Sequence, residues 1–464
     1  MTGQRATWPL RAAARWGAHG VAFIALLLSG VFQPATAGEA PGAVAFGGRL
    51  YDNWYQELRH KPPQTVHPSY PASGKYASQP AETWRCSECH GWDYKGKDGL
   101  YGKNNEHHTG IKGIRGMLGA DPAKIIAVLK APSHKYDEIL YDDQLDAIAA
   151  FVTRGQVNMD EYIDAKTGNS LGDKGKQERF YLTVCSNCHG TDGMETGDLP
   201  SLGLLAKNSP YEALHKILVG HPKAKMPSAG AFGRDFVADL LANLQALPWR
   251  ADRQVKPPRH ILASIARGGR LYDNWVLEGN KRPPTAPNPN YPAGAKPVSA
   301  ETTWRCVQCH GWDYMGREGA TGATASGIQT LIGAPVAKII SVLNDDKHRY
   351  GDLLSADDQT DLANFVSAGQ IDMGRYIDRK TAAVKGDAAR YKTLYDSVCA
   401  TCHGFDGRKI TTSPPLGQTT RAIPWSALHK VVNGHPDEVM PPMRSLSLDM
   451  SADIVAYMLT LPKD

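Results

Sequence analysis

All eight cysteines of this 464-residue chain lie in four copies of one pattern, Cys-x-x-Cys-His. The copies begin at Cys86, Cys185, Cys306 and Cys399. Because positions i, i+3 and i+4 share one face of a helix, each copy predicts two thiols and one imidazole on the same side of a short helix. No cysteine is left for any other use, so the fold has to present this group of side chains four times.

The pattern is typical of covalent haem attachment, in which two thiols bind one porphyrin and the histidine is the proximal iron ligand. A disulfide framework would rarely place a histidine after every second cysteine, and a zinc site leaves that histidine unexplained. A thioredoxin-like motif needs a βαβ context that this sequence lacks. We therefore predict four c-type haems. The predicted attachment residues are Cys86, Cys89, Cys185, Cys188, Cys306, Cys309, Cys399 and Cys402, and the predicted proximal ligands are His90, His189, His310 and His403.

The second half of the chain repeats the first. Residues 47–54 (GGRLYDNW) recur letter for letter at 268–275, and the Trp-Arg-Cys that opens the first motif recurs at the third. Each half pairs a long odd module, which has a preface rich in Pro and Tyr, with a shorter even module. We predict a signal peptide at residues 1–37, followed by module 1 (38–168), module 2 (169–250), module 3 (251–384) and module 4 (385–464).

The hydrophobic pattern favours helices. Asp121-Pro122 predicts a helix start, because proline suits the first helical turn. Apolar residues at Leu145, Ile148 and Val152 follow helical spacing, whereas alternating strand patterns are scarce. We predict an all-α protein of small haem-binding domains, arranged as an internally duplicated pair with long Gly/Pro-rich loops.

The even modules are similar to class I c-type cytochromes. Each has a helix leading into Cys-x-x-Cys-His-Gly, a Gly/Pro loop, a middle helix, a Met-Pro loop and a C-terminal helix. The resemblance covers nearly all of modules 2 and 4 and the haem-binding half of the odd modules, but not the prefaces at about 46–83 and 267–303. It implies tandem small cytochrome c domains. It also implies that Met226 and Met440 are the distal iron ligands, with His221 and His435 of the repeated Gly-His-Pro as rivals.

The odd modules lack a Met-Pro loop at the matching point. When the last helices are aligned, His134 and His348 take the place of that methionine, each nine residues before an aspartate. We therefore predict bis-histidine ligation at these two haems. A solvated loop histidine is the alternative, and the repeated pair Met159 and Met373 supplies rival ligands. Four histidines without a counterpart in the second half are set aside: His60, His67, His107 and His108.

The N-terminus predicts export. It has a basic start, an apolar run at 21–32 and an A-x-A cleavage site ending at Ala37. This run is short for a membrane span, which needs about 20 residues, although an uncleaved anchor is the alternative. The formal charge of +5 without a dominant Lys/Arg run does not indicate nucleic-acid binding. We expect a periplasmic protein with no membrane span after cleavage.

We identify no catalytic acid, catalytic base or substrate pocket from the sequence. We therefore expect an electron carrier that works between redox partner proteins, and we favour this over an enzyme. One alternative is a haem oxidoreductase that acts on a small inorganic or sulfur substrate, or on peroxide, at an open odd-module haem. The other is a cytochrome subunit of a larger redox complex.

Overall fold

The computed structural model describes residues 41–195, 201–248, 260–292, 298–437 and 440–464. Within these ranges the regular structure is helical, and β pairing is limited to four isolated bridges. The predicted all-α class is therefore confirmed. None of the described helices has both the length and the apolar sequence needed to cross a bilayer. The predicted signal peptide lies outside the described residues.

Ten α-helices are described in the first half of the chain. They are α1 (Pro41–Glu57), α2 (Pro80–Thr83), α3 (Cys86–His90), α4 (Pro122–Leu129), α5 (Asp142–Ala150), α6 (Glu178–Phe180), α7 (Ser186–His189), α8 (Leu202–Asn208), α9 (Pro210–Val219) and α10 (Arg234–Ala246).

Ten more are described in the second half. They are α11 (Ile261–Glu278), α12 (Cys306–His310), α13 (Val336–Leu343), α14 (Ala356–Ala368), α15 (Met373–Tyr376), α16 (Lys392–Leu394), α17 (Ala400–His403), α18 (Leu416–Ala422), α19 (Pro424–Asn433) and α20 (Leu448–Met458).

Local sequence signals explain several helix starts. The Asp121 side chain accepts a hydrogen bond from the backbone N–H of Ala123, and Pro122 occupies the first turn of α4, as predicted. At the start of α14, Ser355 and Asp358 satisfy each other's backbone N–H groups in a capping box. These contacts satisfy backbone donors that a helix end leaves unpaired.

A π-helical turn ends on the first cysteine of each even motif. The turns Tyr181–Cys185 and Tyr395–Cys399 continue into α7 and α17. Single π turns inside helices are often found at functional sites, although a third one, Phe151–Gly155, lies away from the motifs. The two even motifs thus share the same local backbone.

Each half has one hydrophobic core that draws on both of its modules. In the first half Leu50 of module 1 and Leu241 of module 2 belong to the same cluster of buried side chains. In the second half Leu271 of module 3 and Val455 of module 4 do the same. An odd and an even module therefore bury apolar surface together.

The repeated glycine pair at the start of GGRLYDNW explains how closely the helices pack. A Cβ atom on Gly47 of α1 would lie 1.8 Å from the carbonyl oxygen of Ala147 in α5. A Cβ atom on Gly268 of α11 would lie 2.0 Å from the carbonyl oxygen of Asp361 in α14. Only glycine permits such direct contact between two helix backbones.

The two halves contact each other reciprocally. Helix α1 lies against the π turn of module 4, and α11 lies against the π turn of module 2. From α11, Arg270 donates a hydrogen bond of 3.3 Å to Asn187 Oδ1 inside the second motif. A Cβ atom on Gly42 of α1 would lie 2.4 Å from the ring of Phe405, which follows the fourth motif. The arrangement resembles an isologous dimer interface.

Candidate haem sites

The four Cys-x-x-Cys-His motifs share one local geometry. In each, the histidine ends a short helix and the next residue is a glycine at positive φ: 78° at Gly91, 74° at Gly190, 78° at Gly311 and 79° at Gly404. Side chains other than glycine are strained at these angles. The glycine therefore ends the helix and turns the chain away directly after the motif histidine.

A buried tyrosine holds this turn in every module. Its hydroxyl donates to the carbonyl oxygen of the motif glycine, at 2.6 Å in modules 1 and 3, 2.7 Å in module 2 and 3.0 Å in module 4. The sequence analysis missed these residues, although each stands at a repeated position. The four tyrosines are Tyr51, Tyr181, Tyr272 and Tyr395.

Each odd site brings together the two histidines that the sequence paired. The ring centroids of His90 and His134 are 6.3 Å apart, with ring planes 7° from parallel. Those of His310 and His348 are 6.2 Å apart, with an interplanar angle of 19°. A metal ion bound by two imidazoles at about 2 Å, the usual metal–nitrogen distance for histidine, needs ring centroids roughly 6 Å apart.

The imidazoles of the odd-motif histidines, which are the predicted proximal ligands, are oriented by backbone carbonyls. The Nδ1 atoms of His90 and His310 lie 2.7 Å from the carbonyl oxygens of Lys112 and Ser326. A hydrogen bond at Nδ1 fixes the tautomer that leaves Nε2 free for a metal. Burial lowers the pKa of His90 to about 4 and also lowers the pKa of His310, so both rings are neutral and can coordinate.

A cavity of about 440 Å³ lies between the two imidazoles of module 1. Its wall includes the thiols of Cys86 and Cys89 as well as His90 and His134. No disulfide joins any of the eight cysteines in the structure, so each motif keeps both of its sulfur atoms for haem attachment. The remaining wall is largely apolar and includes Ile111, Ile114, Ile125, Leu129, Ile148 and Val152. Two thiols, two facing imidazoles and an apolar lining fit a c-type haem.

A third histidine, His67, also lines this cavity. It is 6% exposed, and its ring centroid lies 6.1 Å from that of His134 and 4.5 Å from that of Trp84. Burial lowers the pKa of His67 to about 4. Sequence symmetry set this residue aside because the second half has no matching histidine.

Asn288 occupies the equivalent place in module 3. The backbone N–H of His67 donates to Thr83 Oγ1 at 3.0 Å, and that of Asn288 donates to Thr303 Oγ1 at 2.8 Å. Both side chains also accept a hydrogen bond from the backbone N–H two residues later. The two prefaces therefore have the same local fold at this point. Module 1 has the imidazole of His67 where module 3 has the side-chain amide of Asn288.

The prefaces also make hydrogen bonds to the loops that contain His134 and His348. In module 1, Ser69 Oγ donates to the carbonyl oxygen of Ser133 at 2.7 Å. In module 3, Asn290 Nδ2 donates to the carbonyl oxygen of Lys347 at 2.9 Å. Ser133 and Lys347 each directly precede the predicted distal histidine. These contacts give a structural role to a segment that the sequence left unassigned.

At the even sites the structure places the two candidate ligand types in the same loops. Met226 and Met440 are half-buried, and Met440 packs against the core of the second half. His221 and His435 have Nδ1 atoms 2.8 and 2.9 Å from the carbonyl oxygen of the following proline. Burial lowers the pKa of His189, and nearby His221 lowers it further. Met226 and Met440 therefore stay predictions, with the histidines as rivals.

The rival methionines Met159 and Met373 are each 1% exposed and belong to the two hydrophobic cores. Met159 is not among the residues that line the module 1 cavity. Both methionines stay rival predictions.

Two further repeated histidines, His215 and His429, are completely buried where an odd module meets an even one. Their Nδ1 atoms lie 2.8 Å from the hydroxyls of Tyr94 and Tyr314, and their Nε2 atoms lie within 2.9 Å of backbone carbonyls. Both ring nitrogens of each histidine therefore have hydrogen-bond partners within the protein, which indicates a structural role.

The tryptophans that precede the odd motifs, Trp84 and Trp304, also make hydrogen bonds within the protein. The indole N–H of Trp84 donates to the Thr65 carbonyl at 2.7 Å, and that of Trp304 donates to the Ala286 carbonyl at 2.9 Å. Both rings are buried. We conclude that these indoles fasten the preface to the motif.

Comparison with known proteins points to one family. Residues 386–458 match the model of a family described as "Cytochrome C oxidase, cbb3-type, subunit III". The match begins next to the predicted start of module 4, and it includes the Cys399 motif and Met440. A comparison with curated proteins gives no match.

One solved structure is similar in part, the "as isolated" form of thiosulfate dehydrogenase (TsdBA) from Marichromatium purpuratum. It is 18% identical over 85% of this chain and 89% of that chain, with a TM-score of 0.23. A TM-score of that size does not establish a common fold. The family match shows a cytochrome c domain at residues 386–458, and the other three motifs share the local geometry of its Cys399 motif. Both findings support a c-type cytochrome with a haem-based redox function.

Proposed function

We propose that this chain is a periplasmic electron carrier with four covalently bound haems, and that it passes electrons between redox partner proteins. One observation carries the proposal: in both odd modules a second imidazole faces the proximal one at the separation that a doubly ligated metal needs. A haem iron held by both imidazoles would have no position open for a substrate, and it would therefore exchange electrons without binding a reactant.

The ligand sets divide the haems into two classes. His134 and His348 would give modules 1 and 3 bis-histidine haems. Met226 and Met440 would give modules 2 and 4 histidine–methionine haems, and a thioether ligand raises the reduction potential relative to a second imidazole. The chain would then combine two low-potential and two higher-potential centres.

The packing suggests an order for electron transfer. Each odd module shares its core with the even module that follows. The even motifs in turn contact the first helix of the opposite half. We propose that the odd modules exchange electrons with the partners and that the even modules join the halves.

The predicted signal peptide at 1–37 supports export to the periplasm, where covalent haem attachment takes place. After cleavage at Ala37 no further span is proposed. The redox partners would then be periplasmic proteins or the exposed parts of membrane complexes.

Spectroscopy of the purified, exported protein tests the proposal. Haem content by pyridine haemochrome, combined with intact mass, should give four haems per chain. Low-temperature EPR of the oxidised protein should show low-spin haems only, and carbon monoxide should leave the reduced spectrum unchanged. A high-spin haem that binds carbon monoxide would contradict the carrier and favour an oxidoreductase with one open site.

A further inference from the structure

An arginine without a carboxylate partner among the described residues lies at the odd–even contact of each half, but the two come from different modules. In the first half it is Arg115 of module 1, and in the second half it is Arg444 of module 4. The counterpart of Arg115 in the second half is Gln329. The counterpart of Arg444 in the first half is Gly230. Each half therefore has one such guanidinium, which the odd module supplies in the first half and the even module supplies in the second.

Backbone hydrogen bonds support this alignment. The residue before Gly230, Ala229, donates its N–H to a carbonyl of α9 at 2.8 Å. The residue before Arg444, Met443, donates its N–H to the matching carbonyl of α19 at 3.0 Å. The two turns are therefore equivalent. The residue after the bonded N–H is a glycine in the first half, which has no side chain, and an arginine in the second half.

Arg115 lies at a defined corner of module 1. Its backbone N–H donates to the carbonyl oxygen of Tyr94 at 3.0 Å. The preceding residue, Ile114, accepts a hydrogen bond of 3.0 Å from Gln156 Nε2. Burial raises the pKa of Tyr94, and the positive charge of Arg115 opposes that shift.

Arg444 reaches the equivalent corner of module 3. Its Nη2 atom donates to the carbonyl oxygen of Gly369 at 2.8 Å, directly before Gln370. Gln370 in turn donates to the Ile328 carbonyl at 3.0 Å, as Gln156 does in module 1. Burial raises the pKa of Tyr314, and Arg444 opposes that shift. Arg115 and Arg444 stand at different positions of the repeat, and both bring a positive charge to the equivalent corner of an odd module.

The polar groups at both corners lack an anion. Arg115 Nη1 is buried without a hydrogen-bond partner, and so is the hydroxyl of Ser445, next to Arg444. The described partners of the Arg444 guanidinium are neutral oxygens of Gly369 and Asn433. Burial lowers the pKa of Arg444 to about 10. A buried guanidinium nitrogen without a negative partner is destabilised, so an anion would complete each site.

We propose that each guanidinium is the counter-charge of a propionate on the haem of its odd module, and that it raises the reduction potential of that haem. The inference rests on the proposed haems of modules 1 and 3. Position supports it, because Lys112, Gly113, Ile114 and Met117, which surround Arg115 in sequence, line the module 1 cavity. The planar guanidinium fork matches a carboxylate better than any other side chain does.

Redox titration of each haem in Arg115→Gln and Arg444→Gly tests the proposal. Each variant takes the residue that the other half has at that position. Arg115→Gln should lower the potential of haem 1 alone, and Arg444→Gly that of haem 3 alone. Each loss should reduce the equilibrium constant for reduction about tenfold, which for a one-electron couple is about 59 mV.

The chain also supplies a rescue. The double variant Arg444→Gly with Gln329→Arg returns the guanidinium to the position used in the first half, and it should restore the potential of haem 3. Arg115→Lys keeps the charge and should retain most of the potential of haem 1. Unchanged potentials in Arg115→Gln and Arg444→Gly, or a double variant that stays as low as Arg444→Gly, would overturn the proposal.

Two measurements separate the possible failures. Haem content is determined for every variant: fewer than four haems in the unmodified protein contradict the proposed function, whereas four haems with unshifted potentials contradict this inference only. The titrations are also repeated at several phosphate concentrations. A haem 1 potential that depends on phosphate identifies a free anion at the site and overturns the assignment to a propionate.

Discussion

Modules 1 and 3 share their facing imidazoles, at 6.3 and 6.2 Å, but differ in what surrounds them. His67 lines the cavity of module 1, where module 3 has Asn288. In module 1, His107 also lies 3.1 Å from Glu88 of the haem motif, and module 3 has Gln308 in place of that glutamate. The comparison teaches that the facing pair of imidazoles is present in both modules while its electrostatic surroundings differ. If both pairs bind haem iron as proposed, the two haems would share a ligand class and differ in potential.

Removing the distal histidines should have the largest effect. His134→Ala and His348→Ala should each convert one haem from low spin to high spin and open it to carbon monoxide, because the sixth ligand is lost. EPR and optical spectra of the two variants measure this directly. The exposed His60, which has no counterpart, provides the control, and His60→Ala should leave all haems low spin. If His134→Ala stays low spin, another side chain of module 1 binds the iron.

Much of each haem site was visible in the sequence because its signals are local. The attachment residues follow from i, i+3, i+4 spacing within five residues, and His134 follows from counting back from the next helix. Tyr51 was not visible, because its contact with the Gly91 carbonyl spans 40 positions and depends on how α1 packs.

Internal symmetry drew attention to some residues of the odd sites and away from others. It singled out His134 and His348, which the structure brings to the proximal histidines. It also excluded His67, because a residue that changes between copies gives no repeat. The sharing of one core by an odd and an even module was likewise hidden, since the Pro-rich seams between modules suggest separate units. The close approach of the two modules appears only in the structure, where a Cβ atom on Gly48 of module 1 would lie 2.5 Å from the side chain of Val219 in module 2.

The buried aspartates at the odd–even contacts come next in expected effect. Asp52 is 2% exposed and lies 2.7 Å from Lys216 and 3.0 Å from Arg85. Replacing one partner of such a buried pair costs about 3–5 kcal/mol of unfolding free energy. We expect this loss for Asp52→Asn and for Asp273→Asn, its counterpart in the second half, measured by denaturant unfolding of the holoprotein.

The two halves should respond unequally. Lys216 keeps a second acid in Asp52→Asn, because Glu212 lies 3.0 Å away, whereas the counterpart of Glu212 is Ser426. Asp273→Asn should therefore be the more destabilising change. Equal losses would show that Glu212 does not compensate.

The same pair predicts a pH dependence. Burial by itself raises the pKa of Asp52, but Lys216 and Arg85 outweigh it and the net pKa is lowered. The stabilisation is therefore present above the ordinary aspartate pKa of about 3.9, and it is lost as the pH falls through the lower folded value. Thermal melts between pH 6 and pH 3 should show a smaller decline for Asp52→Asn than for the unmodified protein.

The motif tyrosines should have a smaller effect on stability. Tyr51→Phe leaves the buried Gly91 carbonyl without its donor at 2.6 Å, which costs about 1–3 kcal/mol. Tyr395→Phe removes a longer bond of 3.0 Å and should cost less. Melting temperatures of the two variants test this order. The reverse order would mean that the length of this hydrogen bond does not determine the loss of stability.

Exchanging His67 and Asn288 should have the smallest effect and bears most directly on the comparison. His67→Asn should leave haem 1 low spin, since His134 still binds, but should move its EPR g values and potential toward those of haem 3. Asn288→His should move haem 3 in the opposite direction, because the two prefaces share their backbone hydrogen bonds. If His67→Asn instead produced a high-spin haem, His67 would be the distal ligand, and the two odd sites would not share a ligand set. The exchange therefore decides whether the modules differ only in surroundings or also in the iron ligand itself.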